Sequence, residues 1–225
     1  MSSTGRMRPV TFIRKCKTFF SPRLMSTSDA VAESLDRVAG FTAFATIGAL
    51  GLTQDLTHAA LESIGNMDGA DPELMAEETL CLVATATARA AEVGLADEPD
   101  HEPSIVRTLL DLPFTYRDYL IGKAMVMDDD PGLSEMADEV HERLQGKREF
   151  YTTHLPEGQF PGPHALSDKM ELWMGRVSPP KLPETPQERL DSLGLVDPTV
   201  AHLKLVLAYG RRGVPPLGSA AESSG

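Results

Sequence analysis

Apolar residues at Val31, Leu35, Val38, Phe41 and Ala45 recur at helical intervals, which predicts a helix from an N-cap at Ser28 to about Leu50. Thr53 opens a second helix that ends near Gly65-Asn66. Asp71-Pro72 opens a third, because Asp caps and Pro suits the first helical position. This helix should reach Gly94, with a buried edge of Met75, Leu82, Ala86 and Val93. After an acidic loop over 96–103, Ser104 to Leu112 reads as helical and Pro113 interrupts it. Thr115 with Asp118 resembles a capping box that starts a helix to about Met127.

Asp130-Pro131 opens the next helix, which runs to the 150–154 region. Its apolar edge is Leu133, Met136, Val140 and Leu144, Glu139 and Arg143 form an i,i+4 pair, and Gly146 is a weak point. A loop over 155–163 precedes a short helix from Ala165 to Arg176. Pro residues after Ser178 make a linker. Thr185-Pro186 with Glu188 is a capping box for one C-terminal helix, and Asp197-Pro198 opens the last, to about Tyr209. No stretch alternates β-branched residues as a strand requires.

The pattern predicts an all-α protein: an irregular multi-helix bundle with a C-terminal helix pair after a Pro-rich linker. The expected organisation is a disordered basic extension over 1–25, a helical domain over 26–177, the linker and helix pair over 178–212, and a disordered tail over 213–225. The segment Met67–Leu74 echoes Met127–Leu133 at an offset near sixty residues, as a duplicated helical hairpin or repeated Asp-Pro capping would give.

Composition sharpens the picture of the core. Only 6% of residues are aromatic, so the core should rest on Leu, Ala, Val and Met with no aromatic cluster. The segment from Val38 to Gln54 carries no charge and is barely long enough to span a membrane. With its Gly and Thr content it reads as the fully buried central helix. A self-association face using Ala45 and Ala49 is the sharper alternative.

Charge is unevenly placed. Residues 1–25 carry six basic residues and no acid, while the rest carries 15 Lys and Arg against 33 Asp and Glu, net −18. Such a body repels phosphate backbones, so nucleic acid is not an expected partner. A lysine-poor acidic surface also suits high-salt cytoplasm. The first 24 residues lack the long apolar centre of a secretory signal and read as an extension, a presequence or a basic contact arm. Met25 would be a natural start. The expected location is cytoplasmic, with no membrane attachment.

Cys16 and Cys81 offer no disulfide framework, and Cys81 reads as a small buried hydrophobe. His101 and His164 fall in loops; His58 and His202 fall on helices and should be partly packed. Asp128-Asp129-Asp130 invites a calcium reading. The fifth residue from Asp128 is Gly132 and the sixth Leu133, which breaks the EF-hand pattern, so capping by Asp130 is the plainer account.

One constellation could hold a metal: Asp138 and His141, joined by Glu77 and Glu78 from another helix, with His154 further along. A solvated helix face is the blander reading of the same residues. No zinc-protease, Cys-x-x-Cys, nucleophile-elbow, P-loop or dinucleotide motif occurs. Trp173, the only Trp, should anchor the C-terminal segment, with a partner-facing hot spot as the alternative. The expected function is a non-enzymatic protein-interaction or regulatory role, with another protein or a second copy as partner and no cofactor. The alternative is a metal-dependent enzyme using the carboxylate and His group.

Overall fold

The computed structural model describes residues 27–64, 71–127, 132–178, 185, 188, 191 and 193–212. Among them the protein is all-α, with no strand. The helices are α1 (Thr27–Ile64), α2 (Pro72–Gly94), α3 (Glu102–Leu110), α4 (Leu112–Met127), α5 (Gly132–His154), α6 (Pro163–Val177) and α7 (Val196–Arg211). The basic extension, the Asp128–Asp130 cluster, most of the Pro-rich linker and the last tail lie outside the described residues. So does part of each copy of the echoed segment.

The two expected N-terminal helices are one helix of 38 residues. Thr53 does not cap. Its hydroxyl donates back to the Ala49 carbonyl at 2.8 Å, as Thr42 does to Val38, so the polar side chain is satisfied within the helix. Phe41, Ala45, Ala49, Leu52, Leu56 and Ala60 form one buried stripe along α1. Ala45 and Ala49 therefore serve the protein's own core and not an outer association face.

The central helix is α2, not α1. Asp71 accepts from the amides of Glu73 and Leu74 at 3.0 and 3.1 Å, the cap the sequence predicts. Beyond it, every residue from Glu78 to Ala91 is buried. The small residues of this stretch, Ala84, Thr85, Ala86, Thr87, Ala88, Ala90 and Ala91, let neighbouring helices close in from all sides. α2 packs against α1, α3, α4, α5, α6 and α7. Met75, Leu82 and Ala86 are buried as expected, while Val93 is half-buried.

Elsewhere the boundaries shift by local chemistry. α4 begins at Leu112, with Pro113 tolerated in its first turn, because Asp111 forms the corner between α3 and α4. The Thr115–Asp118 capping box does not form. Thr115 bonds the Asp111 carbonyl, and Asp118 is held by Arg117. The Thr185–Glu188 box does form: Glu188 accepts from the Thr185 amide at 2.8 Å, and its own amide donates to the Thr185 hydroxyl at 3.3 Å. These bonds hold the fully exposed Glu188 carboxyl below its ordinary pKa.

α7 belongs to the same core, packing on α2, α1 and α6 through Val200, Leu203 and Val206. It comes so near α2 that a Cβ on Gly210 would lie 2.8 Å from the Gly94 carbonyl carbon. Rings gather despite their scarcity, contrary to the composition. Phe44 meets Tyr209 edge-on at 5.0 Å between α1 and α7, and Phe150 contacts both Tyr151 and His154 on α5.

Candidate functional site

The side of the bundle bounded by α1, α2, α4 and α5 holds a groove of about 910 Å³. Ala76 and Leu80 of α2 lie at its floor, with Leu50 and Leu61 from α1 and Val140 and Leu144 from α5 on its walls. Pro113, Tyr116 and Ile121 contribute from α4. Ile47, Tyr116 and Met136 are large apolar side chains left exposed along it, Ile47 at 70%. The Thr57 hydroxyl also lines the groove. Its oxygen is buried and makes no hydrogen bond among the described residues.

Charged residues at the groove are bound to one another. Glu77 accepts from Arg143 Nε at 2.8 Å and Nη2 at 2.6 Å, and also from Lys147 Nζ. Arg143 reaches Glu73 at 3.2 Å as well. Two acids one turn apart on α2 thus face two bases one turn apart on α5. Burial opposes ionisation of Glu77, but the bonds from Arg143 and Lys147 outweigh it and its pKa falls below the ordinary value. Arg143 is raised in turn, chiefly by its bonds to Glu77. The expected Glu139–Arg143 pair is replaced by this cross-helix ladder, since Glu77 offers a bidentate partner.

A second ionic centre lies on the opposite flank of α2. Glu78 is buried and takes Arg176 at 2.8 and 2.6 Å, together with the Tyr151 hydroxyl at 2.9 Å. Burial pushes the Tyr151 pKa up, and the charge of Glu78 adds to it. Arg176 stacks on Phe150 at 4.3 Å. Beside this centre Trp173 is completely buried and donates to the Thr79 hydroxyl at 3.1 Å. Trp173 therefore anchors α6 to α2 and offers no surface to a partner. At the far end of α2, Arg89 donates to the Leu155 carbonyl and pairs with Glu92, which also accepts from Gly158 N.

The carboxylate and His group does not converge. Glu77 and Glu78 are directed to different cations on different helices. Asp138 is exposed, and His141 accepts from Arg117 through Nδ1 at 2.6 Å while resting on Phe114. His154 bonds the Phe150 carbonyl. Among the described residues no three His, Cys, Asp or Glu side chains are grouped to hold a metal ion. Cys81 is fully buried, and that burial, with the nearby charge of Glu78, pushes its thiol up to about 12. It is the inert hydrophobe the sequence suggests.

Two histidines on helices behave differently. His58 is exposed and pairs with Glu62 at 3.2 Å, where partial packing was expected. His202 is packed between α1 and α2, its Nε2 3.2 Å from the Thr87 hydroxyl, and burial lowers its pKa. The groove itself escapes a reading by pattern, because its walls come from three helices distant in sequence. The ladder left one trace: Glu73/Glu77 and Arg143/Lys147 share an i,i+4 spacing with opposite sign. No family model, curated protein or solved structure matches this chain.

Proposed function

We propose that this chain is a non-enzymatic interaction protein that receives an apolar helical segment of a partner protein in the groove between α1, α2, α4 and α5. The supporting observation is the groove itself, an apolar floor of about 910 Å³ edged by the exposed Ile47, Tyr116 and Met136. Contiguous exposed apolar surface of this kind is costly in water unless something covers it. A groove bounded by helices suits the apolar face of another helix, read through residues one turn apart. The ion pairs of Arg143 and Lys147 with Glu73 and Glu77 hold α5 to α2, and the hydrogen bond from Arg117 to His141 ties α4 to α5, so the groove is prepared before binding. The same reading keeps the chain in the cytoplasm, where its acidic surface favours solubility and a regulatory partner supplies the apolar surface.

A photo-crosslinking side chain at Met136 tests this, with the same side chain at Leu205 on α7 as the exposed control. The expected result in native lysate is one discrete heterologous adduct from position 136, lost when Val140→Asp charges the groove wall, and none from 205. Equal labelling from both positions, or adducts indifferent to Val140→Asp, would remove the groove from the account.

A further inference from the structure

The chain carries, outside its described residues, a segment whose chemistry matches the groove. Residues 1–26 precede α1. They hold Arg6, Arg8, Arg14, Lys15, Lys17 and Arg23 and no acid, with apolar side chains at Val10, Phe12 and Ile13 and again at Phe19 and Phe20. Among the described residues, acids outnumber bases around the groove. Glu73 lines it, Glu62 pairs with the lining His58, and Asp55 and Glu139 adjoin the lining Gln54 and Val140 in sequence. All four acids are exposed. The bases there, Arg117, Arg143 and Lys147, are each bonded to a carboxylate already.

We propose that the segment Val10–Ile13 of this N-terminal arm docks in the groove of its own chain and competes there with the partner. The arm has the length to do so. Counted from Thr27, the stretch of α1 from Ile47 to Leu61 lies about 30 to 51 Å along the helix at 1.5 Å per residue. Running back along α1 at about 3.3 Å per residue, the arm carries Ile13 up to about 46 Å and Val10 up to about 56 Å, but Phe20 only to about 23 Å. Val10–Ile13 therefore reaches the groove with slack, and Phe19 and Phe20 fall short of it. Its apolar side chains meet the apolar floor, while Arg8, Arg14 and Lys15 on either side fall among the exposed acids. The other end of the chain lacks this match, since Glu222 is the one charged residue over 213–225. A tether supplies the arm at an effective concentration in the millimolar range, so even a weak contact stays formed. The docking stands on this match of length and charge; the competition rests on the groove being the partner site proposed above.

A photo-crosslinking side chain in place of Phe12 tests the docking in the purified full chain. At low salt it should join position 12 to peptides that hold Gln54–Leu61 or Met136–Leu144. The same side chain in place of Phe20 should leave the α5 peptide unlabelled. Combining Arg14→Glu, Lys15→Glu and Lys17→Glu should cut the adduct from position 12 about threefold or more, and so should about 1 M KCl, where charges act over about 3 Å. Adducts that fall outside the groove, or that ignore both charge and salt, would overturn the docking. Mixing ordinary with heavy-isotope-labelled chains shows whose arm is bound, and hybrid adducts would give the groove to the arm of a second copy instead. Competition is read at Met136 in native lysate, where the same triple substitution should raise the yield of partner adduct about threefold or more. An unchanged yield would overturn the competition and leave the groove as a partner site. No partner adduct from either chain, with position 12 still joined to the groove, would sink the partner site and the competition with it, while the docked arm stands.

Discussion

Glycines show how local space decides what a residue contributes. A Cβ on Gly210 would stand 2.8 to 3.0 Å from three backbone atoms of Gly94, and backbone cannot rotate away. One on Gly48 would strike the His202 ring at 2.5 Å. Gly51 and Gly146 sit on helices of the same bundle with nothing within 4 Å. Replacing an exposed helical Gly by Ala gains about 0.5–1 kcal/mol through the unfolded chain's lost freedom. Gly51→Ala and Gly146→Ala should therefore each raise the melting temperature. Gly210→Ala should lower stability by about 1–3 kcal/mol, the usual cost of forcing packed elements apart. Chemical denaturation of the three variants measures both signs. A neutral Gly210→Ala would mean that α7 can slide on α2 without loss.

At the scale of elements, the α2–α5 ladder couples two helices through ionised groups of unequal burial. The Glu77 side chain is 12% exposed and its partner Lys147 5%, whereas Glu73 is 74% exposed. Glu77→Gln leaves a buried ammonium without its counter-charge, which costs about 1–3 kcal/mol. Glu73→Gln should cost under about 0.5 kcal/mol, as exposed pairs do. Because the folded pKa of Glu77 is depressed, its contribution is complete above the unfolded value of 4.5 and fades as pH falls through the folded one. The gap between native and Glu77→Gln melting temperatures should thus be wide at neutral pH and close below pH 4.5. A constant gap across that range would assign the loss to packing.

The same ladder marks what the sequence could convey. Some helix starts that depend on adjacent residues were legible: Asp71-Pro72 and Thr185/Glu188 cap as their spacing predicts, whereas α7 begins at Val196, with Asp197 inside its first turn and no side-chain cap; the helical spacing foretold an all-α bundle. Some failures were local, since Thr53 and Thr115 bond back to carbonyls one turn earlier in place of capping; the others depended on distant chain. A break was expected between Leu50 and Thr53, but α1 runs through it, with Thr53 bonded back to Ala49. The charge-free segment looked like a core. The central position went instead to α2, whose Glu78 and Arg89 can be buried because Arg176, Tyr151 and the Leu155 carbonyl satisfy them. The groove is assembled from α1, α2, α4 and α5, and no local pattern records which helices become neighbours.

For the whole molecule, the governing quantity is a net charge of −12 on 225 residues. Self-repulsion of that size destabilises the compact state, and salt reduces it by shortening the range of each charge. The ion pairs that hold α2 to α5 and α6 are partly shielded from that screening, because Lys147 and Glu78 are buried. Repulsion spread over the surface should therefore fall faster with salt than the attraction inside. Raising KCl should raise the melting temperature, steeply at first and then less as the screening length drops from about 30 Å at 0.01 M to about 3 Å at 1 M. Calorimetry at fixed protein concentration across that range tests the balance. The Glu77→Gln variant should show the same rise from a lower start, since it alters the interior pair and barely changes the surface field. A melting temperature that stays flat or falls with KCl would mean that exposed ion pairs, such as Arg143 with Glu73, outweigh the like-charge repulsion.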